Sequence, residues 1–412
     1  QINTPLIMKT KQFLTSVLST AVLWSTGTAF AASFDEDVAF LKKHTDVIVL
    51  RDKAGSAQIA IAPAWQGRVM TSTDGGTNRK GFGWINHKLI ASGKLQPHIN
   101  VFGGEDRFWI GPEGGQFSIF FAQGKKFQLQ DWYTPAPIDT LPFSVVKQSR
   151  DQATFGAKFD LTNHSGTRFH VEVKRDIRLI STSTAWKKLG VKPSSNVSVV
   201  AYESQNRITN AGEKPWQKDT GLLSIWILGM FNPSPATTIV VPIHPGPASE
   251  LGPEVNSDYF GAIPPSRLAV KDSAIFFSGD GQFRSKIGVN PMRSKGLLGS
   301  YDAANKALTI VQFTQPKGAT EYVNSQWKWQ EKPYAGDVSN SYNDGPPAPG
   351  KKPLGPFYEL ESSSPAAALA PSKSLTHVHR TIHLTGSESE LNTIAQSVLG
   401  VSLAQIQSAL KP

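Results

Sequence analysis

The stretch VFGGEDRFWIGPEGG, residues 101–115, concentrates charged and aromatic side chains between two Gly-Gly pairs. The residues in or just before it that could contact a ligand are Asn100, Glu105, Asp106, Arg107, Trp109 and Glu113. Because glycine lets the main chain turn sharply, the pattern predicts a loop from which these side chains project. Carboxylates and arginine hydrogen-bond vicinal hydroxyls, and an indole face offers an apolar platform, so this combination favours a sugar. The alternative is a salt bridge of Arg107 that only rigidifies a turn, with Trp109 in the core.

Two segments near the C-terminus contain a second group of such residues. Strand alternation in FYELES, residues 357–362, places Glu359 and Glu361 on one face, either as a pair of site carboxylates or as the solvated face of an edge strand. In THVHRTIHL, residues 376–384, His377 and His379 share a face. Paired histidines at this spacing can ligate a metal, but no third ligand is evident, so we favour a hydrogen-bonded row and predict no metal site.

A proline-rich segment, residues 240–264, contains His244 and Asp258. A connection of this length in a compact domain is often functional, and the alternative is a rigid surface cover. Both residues are therefore candidates for the site.

The elements that must position these residues follow mainly a two-residue period. Apolar and polar residues alternate, as in half-buried antiparallel strands, over residues 57–63, 115–122, 153–161, 169–180 and 307–316. Helical patterns are confined to the ends, at residues 35–44 and after Ser387, where Glu390 gives capping-box spacing. Residues 340–356 are rich in Pro, Gly and Lys and predict an exposed loop. The fold class is therefore all-β, with short terminal helices.

The N-terminal residues resemble a secretory signal. Met8 is followed by two lysines, an apolar run and a small-residue segment that ends at Ala31. We predict that residues 1–31 are an upstream extension plus a signal peptide, that 32–386 form the β domain, and that 387–412 form a helical tail packed on or following it. The mature protein is then periplasmic or extracellular, with no integral membrane segment.

Composition excludes several functional classes. The 412 residues contain 39% hydrophobic and 18% charged residues and no cysteine, which excludes thiol catalysis and thiolate metal sites. The formal net charge is +10, but the basic residues are scattered and form no arginine-rich arm. We therefore predict no nucleic-acid binding and no cofactor, while the oligomeric state stays open.

Several sequence blocks, in order, resemble the galactose mutarotase-like superfamily. ELESSSP followed by HVHRTIHL is similar to the closing strands of that superfamily, and NVFGGEDRFWIGPEGG falls where its members have an LHGG loop. The resemblance covers nearly all of residues 35–385. It implies a large antiparallel β-supersandwich, a carbohydrate ligand and an activity like that of aldose 1-epimerases.

Carried over by residue, the resemblance is partial. Glu361 matches the glutamate that acts as general base on the anomeric hydroxyl, whereas Phe102 replaces the histidine of the LHGG loop. In the segment matching a second motif, TNHSYFNL, Asn210 is kept but Ala211 replaces the histidine.

Two functional classes follow from this partial match. In an epimerase-like enzyme, Glu361 is the base, one of His98, His244 and His379 donates the proton, and Arg107 and Asp258 hold sugar hydroxyls. In a non-catalytic sugar-binding protein, the concave face persists without the acid.

Overall fold

The computed structural model describes residues 32–75 and 80–411. The predicted signal peptide, residues 1–31, lies outside the described residues. In chain order the strands are β1 (Ile48–Arg51), β2 (Gln58–Ala62), β3 (Arg68–Thr73), β4 (Arg107–Gly111), β5 (Ser144–Gln148), β6 (Gln152–Thr162), β7 (Arg168–Ile180), β8 (Val197–Asn210), β9 (Ser224–Phe231), β10 (Thr237–Pro242), β11 (Leu268–Lys271), β12 (Ala274–Ser278), β13 (Ser285–Val289), β14 (Leu297–Asp302), β15 (Ala307–Phe313), β16 (Ser339–Asn343), β17 (Tyr358–Ser363) and β18 (Ser374–Gly386). The helices are α1 (Phe34–Leu41), α2 (His87–Ser92), α3 (Thr182–Leu189), α4 (Ala248–Leu251), α5 (Glu388–Leu399) and α6 (Leu403–Ser408).

The strands form antiparallel sheets, which confirms the all-β prediction. A ten-stranded sheet has the order β11-β12-β10-β14-β15-β18-β8-β7-β6-β5, a five-stranded sheet has the order β13-β16-β17-β9-β4, and β1-β2-β3 form a third. The strand β18, near the C-terminus, therefore lies in the middle of the largest sheet, between β15 and β8.

The five-stranded sheet packs one face on the ten-stranded sheet, as expected for a β-sandwich. Leu360 of β17 belongs to the same buried apolar cluster as Val311 of β15, and Phe108 of β4 clusters with Tyr202 of β8. The core between the sheets therefore fixes which side chains of β4, β9 and β17 point inward and which point away.

Helices cover the middle of the outer face of the ten-stranded sheet. Buried residues of α5 and α6, including Leu391 and Ile406, form one apolar cluster with Leu308 and Ile382 of the sheet. Both helices begin as the sequence predicts, because the side chains of Ser387 and Ser402 cap them. Within the described residues, no helix is both long and apolar enough to cross a membrane.

Three local predictions were wrong. Residues 115–122 form a loop, because their alternating aromatic residues pack on tryptophans of other loops, as Phe120 does on Trp132 at 5.7 Å. Helices are not confined to the ends, since Ser181 caps α3 within the chain. The predicted loop at 340–356 begins later, because residues 339–343 pair with both β13 and β17.

Candidate functional site

The five-stranded sheet presents a face that points away from the ten-stranded sheet, here called the site face. On β17, Ser362 bonds histidines of β18, so the alternating residues Glu359 and Glu361 point to the opposite side. Glu361 pairs with Leu228 of β9, which pairs with Arg107 of β4. Arg107 and Glu361 therefore share this face two strands apart, roughly 10 Å between their Cα atoms at ordinary strand spacing.

Glu361 is fully buried and its carboxylate holds a cation. Its Oε2 accepts hydrogen bonds from Lys286 Nζ at 3.0 Å and Trp226 Nε1 at 2.9 Å. The Lys286 ammonium also lies 4.7 Å from the centre of the Trp226 ring. The second oxygen of Glu361, Oε1, accepts from no N–H or hydroxyl group within the described part of the chain. The carboxyl group of Glu359 is also hydrogen-bonded to Glu361.

The carboxyl group of Glu359 lies next to that of Glu361 on the same face of β17. Burial and the adjacent carboxylate of Glu361 raise its pKa well above the usual range. Burial alone would lower the pKa of Lys286, but the charges of Glu361, Glu113 and Glu359 outweigh it and raise that pKa. The site face thus combines a stable ammonium with carboxyl groups of unequal acidity.

Glu113 completes this set of carboxyl groups. Its side chain is partly exposed, and the segment that carries it is anchored by its backbone N–H, which donates to Ser325 Oγ at 3.1 Å. Burial raises the pKa of Glu113 to about 7, against the opposing charge of Lys286. A carboxyl group in this state exchanges a proton near neutral pH.

A cavity of about 340 Å³ opens beside Glu361. Four residues around that glutamate line it: Trp226 and Lys286, which bond it, Asn340, which lies opposite on β16, and Ser363, which is two residues further along β17. Glu361 therefore lies beneath the floor of this cavity. Hydroxyl and amide groups supply much of the remaining wall, from Ser224, Asn256, Ser257, Asn290, Asn324, Ser325 and Gln326.

One wall of the cavity is fixed by a hydrogen-bonded group around Asp337. Its Oδ2 accepts bonds from Tyr259 OH at 2.5 Å and Asn256 Nδ2 at 2.8 Å, and Asn340 Nδ2 donates to Tyr259 OH at 3.0 Å. Burial raises the pKa of Asp337 and, together with the charge of Asp337, that of Tyr259. This part of the cavity wall is therefore preorganised by hydrogen bonds within the protein.

The structure corrects the predicted roles of Glu105 and Asp106. Both are fully buried between the sheets: Glu105 Oε2 lies 2.9 Å from Tyr202 OH and 3.0 Å from His383 Nε2, and Asp106 Oδ1 lies 2.5 Å from Arg175. Gly103 and Gly104 have positive φ angles of 93° and 107°. A Cβ on Gly103 would lie 2.1 Å from the oxygen of Trp84, so these glycines permit close packing and not a projecting loop.

Arg107, Asn100 and Trp109 form a buried group on the site face, in which Arg107 Nε and Nη1 have no hydrogen-bond partner among the described residues. Arg107 donates to Asp139 Oδ1 at 2.8 Å, Asn100 Nδ2 donates to Asp139 Oδ2 at 2.8 Å, and the guanidinium lies 4.3 Å from the Trp109 ring centre. All are buried. The sequence raised the alternative of a local salt bridge of Arg107 with one of three nearby acids, Glu105, Asp106 or Glu113. Arg107 does form a salt bridge, but its partner is Asp139, which no local pattern indicated.

The three candidate histidines are not hydrogen-bonded to Glu361. His98 bonds the Trp132 oxygen through Nδ1, and His244 is exposed. His379 bonds Ser362 on the opposite side of β17 from the Glu361 carboxylate, and burial lowers its pKa to about 4. Because β17 separates His379 from the site face, the prediction that His379 could be the acid is wrong.

The two remaining predicted ligand contacts are Asn210, which lies away from the cavity, and Asp258, which lines it. Asn210 Nδ2 donates to the main-chain oxygens of Lys214 and Leu369, at 2.8 and 2.9 Å, so it ties two loops together and does not face the cavity. Asp258 lines the cavity and is exposed to solvent. Of the predicted ligand contacts, Asp258 is the one in the cavity wall, and Glu113 adjoins that wall.

Sequence reasoning missed Lys286, Tyr259 and Asp337. A lysine within the short strand SKIGV was the one available signal for Lys286, because a charged residue inside a strand requires a partner. Among the described residues, no group of three His, Asp or Glu side chains is arranged to hold a metal ion.

Comparison with solved structures gives distant similarities. A putative aldose 1-epimerase from Escherichia coli K12 is 13% identical with a TM-score of 0.48, covering 83% of this chain and 99% of that one. A galactose mutarotase-like protein from Lactobacillus casei ATCC 334 is 11% identical with a TM-score of 0.45, covering 82% and 100%. A putative mutarotase from Salmonella typhimurium is 10% identical with a TM-score of 0.45, covering 84% and 92%.

Sequence comparison gives a family. No curated protein sequence matches the chain. A family model described as "Family of unknown function (DUF6786)" matches residues 32–410. Because that match spans nearly the whole chain, the protein belongs to the DUF6786 family.

Proposed function

We propose that the protein binds a carbohydrate in the cavity beside Glu361. The observation that carries this proposal is the make-up of the cavity: hydroxyl and amide groups surround the aromatic rings of Trp226 and Tyr259. A sugar presents several hydroxyls, which need donors and acceptors in fixed positions, and a ring face, which packs on aromatic surfaces. The volume of about 340 Å³ lies within the range of small-molecule sites.

The charges in the cavity support a neutral polyol more than an anionic ligand. Lys286 is already paired with Glu361, and the carboxyl groups of Asp337 and Asp258 also line the cavity. A phosphate or carboxylate ligand would meet these acids without a free cation of its own. Hydroxyl groups can donate to carboxylates and accept from the ammonium, so they suit this surface.

The indole of Trp226 provides a direct test of binding. Its N–H is bonded to Glu361 beneath the cavity floor, so a bound sugar should move its NMR resonance. Trp186 is buried among α3 and the outer face of the ten-stranded sheet and serves as the internal control. Titration with D-galactose, D-glucose and a glycan panel should shift Trp226 and not Trp186. If no sugar shifts Trp226 selectively, carbohydrate binding in this cavity is wrong.

Catalysis on a sugar hemiacetal is the second candidate, with Glu361 as general base. The position of Glu361 beside the cavity favours it, because a general base must lie within hydrogen-bond reach of the hydroxyl whose proton it takes. A non-catalytic sugar-binding protein is the alternative. Proton NMR of anomer exchange in freshly dissolved α-D-galactose separates the two, because only an enzyme accelerates the exchange and loses that acceleration in Glu361→Gln.

Export is a further part of the proposal and rests on the sequence of residues 1–31 alone. Removal of this segment would place the sugar site in the periplasm or outside the cell. Intact-mass measurement of protein recovered from a secreting host should show a mature N-terminus at Ala32.

A further inference from the structure

Two arginines, Arg68 of β3 and Arg107 of β4, lie beside each other with both side chains fully buried. Val69 and Asp106 form an antiparallel bridge between the two segments, so the next residues along, Arg68 and Arg107, are opposite each other on one face. Cα atoms in such positions are roughly 5 Å apart, and like charges placed there are destabilising. This pair therefore needs negative charge beside it.

The hydrogen bonds of the two guanidinium groups leave several donors unused. Arg68 donates through Nη1 to the oxygen of Gly103 at 3.0 Å and through Nη2 to Gln66 Oε1 at 3.2 Å, and both acceptors are uncharged. Arg107 donates through Nη2 to Asp139 at 2.8 Å. Arg68 Nε, Arg107 Nε and Arg107 Nη1 have no acceptor among the described residues. Each buried donor left in this state costs free energy.

Asp139 is the one carboxylate that is hydrogen-bonded to this pair, and other donors already surround it. Its oxygens accept from Arg107 and from the backbone N–H and Nδ2 of Asn100. Among the described residues, no carboxylate oxygen lies within 4.0 Å of an Arg68 nitrogen. Glu359 also acts on Arg107 by its charge, but burial raises the pKa of Glu359 well above its usual range. The two cations therefore depend mainly on the charge of Asp139.

We propose that a halide ion, chloride under ordinary conditions, binds between the guanidinium groups of Arg68 and Arg107. A single-atom anion can accept from donors in any direction and supplies the negative charge that the pair lacks, through charge-assisted hydrogen bonds. A water molecule would satisfy the donors but would leave the like charges opposed. Because both side chains are closed off from solvent, the ligand must be small enough for the fold to enclose it.

Aromatic rings surround this anion site. The Arg107 guanidinium lies 4.3 Å from the centre of the Trp109 ring, and that of Arg68 lies 5.9 Å from the centre of Phe102, which stacks on Trp65 at 4.4 Å. Rings keep water away, which strengthens the attraction between an anion and the two cations. None of these residues lines the cavity, so the anion site does not depend on the proposed carbohydrate binding.

A crystal grown in sodium bromide locates the ion without any change to the protein. Diffraction at the bromine absorption edge should give an anomalous peak within hydrogen-bonding distance of Arg68 Nε and Arg107 Nη1. A peak at surface arginines and lysines alone, with water or no density between the two buried side chains, would overturn the proposal.

Urea denaturation at constant ionic strength, with gluconate in place of chloride, measures the same binding in solution. Since a ligand that binds only the folded chain stabilises it by mass action, each tenfold rise in chloride above the dissociation constant should lower the unfolding equilibrium constant about tenfold. Arg68→Gln removes one cation and should lose this dependence. Arg178→Gln, which replaces an exposed arginine paired with Glu203, is the matched control and should keep it.

Two results in solution would contradict a bound halide. One is equal stability of the wild type in chloride and in gluconate, and the other is an unchanged chloride dependence in Arg68→Gln. Should Arg68→Gln not fold, the wild-type bromide crystal decides, because it needs no variant.

Discussion

Two buried polar clusters of this molecule differ in whether a cavity adjoins them. The inter-sheet cluster, formed by Glu105, Asp106, Arg175, Tyr202 and His383, lies between the two large sheets. Asp106 Oδ1 is bonded to Arg175 and Oδ2 to Ser204 Oγ. The site-face cluster, formed by Glu113, Glu359, Glu361 and Lys286, adjoins a cavity. Each cluster has one carboxylate oxygen, Oε1 of Glu105 and Oε1 of Glu361, that accepts from no N–H or hydroxyl group of the described residues.

The difference shows why burial of charge does not by itself mark a site. A buried carboxylate whose partners surround it stabilises one arrangement of the two sheets and has no place for a ligand. A buried carboxylate with one cation and an adjoining cavity can still gain a partner. The densest acidic run in the sequence belongs to the first kind, while the pair on β17 belongs to the second.

The largest expected loss of stability follows from a substitution in the inter-sheet cluster. Arg175→Met leaves Asp106 buried without its cation and should lower the free energy of unfolding by roughly 3–5 kcal/mol. Urea denaturation measures this change. Lys158→Met, which breaks the exposed pair with Glu172, should cost about 1 kcal/mol or less. Equal effects of the two variants would contradict the distinction between buried and exposed pairs.

A smaller but still large loss of stability is expected at Arg107, which lies on the site face and is paired with Asp139. The interpretation of Arg107 as a projecting sugar ligand predicts that Arg107→Ala weakens sugar binding with little change in stability. Because Arg107 is buried and paired with Asp139, we now expect the substitution to lower the free energy of unfolding by about 3 kcal/mol. An unchanged melting temperature together with weaker binding would restore the earlier interpretation.

The smallest effects concern pH, and the two regions should respond in opposite directions. Burial lowers the pKa of His377 to about 3 and that of His379 to about 4, so their neutral forms stabilise the region between the sheets. That contribution is present above 6.5 and is lost as pH falls towards 4. Glu113, with its pKa raised to about 7, contributes stability below 4.5 that is lost as pH rises through 7.

Denaturation midpoints at pH 5, 6, 7 and 8 measure both trends. His379→Gln should reduce the loss of stability on acidification, and Glu113→Gln should remove the loss between pH 5 and 7. His244→Gln is the control for the first variant, since the exposed His244 side chain should leave the profile unchanged. A profile that neither His379→Gln nor Glu113→Gln alters would contradict both assignments.

Much of the fold could be predicted, because alternation is a local property. The alternation of residues 153–161, 169–180 and 307–316 predicted β6, β7 and β15 to within a few residues. The same reasoning failed at residues 115–122, which belong to none of the strands. There Phe120 packs on Trp132 and Phe121 packs on Trp327. Local pattern cannot distinguish a strand from a loop whose aromatic side chains are buried by distant residues.

The site was less predictable than the fold for a related reason. The common face of Glu359 and Glu361 follows from strand geometry, and the structure has that arrangement. Their partner Lys286 is 75 residues away in sequence and meets Glu361 only because β16 lies between β13 and β17. No local sequence pattern near Glu361 could have predicted its pairing with Lys286. In the same way, no pattern near Arg107 could have predicted its pairing with Asp139.

The central place of β18 in the ten-stranded sheet has a consequence for synthesis of the chain. Its neighbours β8 and β15 are made earlier, and each pairs on its other side with a strand close to it in sequence, β7 or β14. Until residues 374–386 leave the ribosome, the two halves of the sheet cannot join, and β8 and β15 present long unpaired edges that can associate with other chains. Insertion of β18 therefore comes late in folding, and chains that stall before it are the ones most exposed to aggregation.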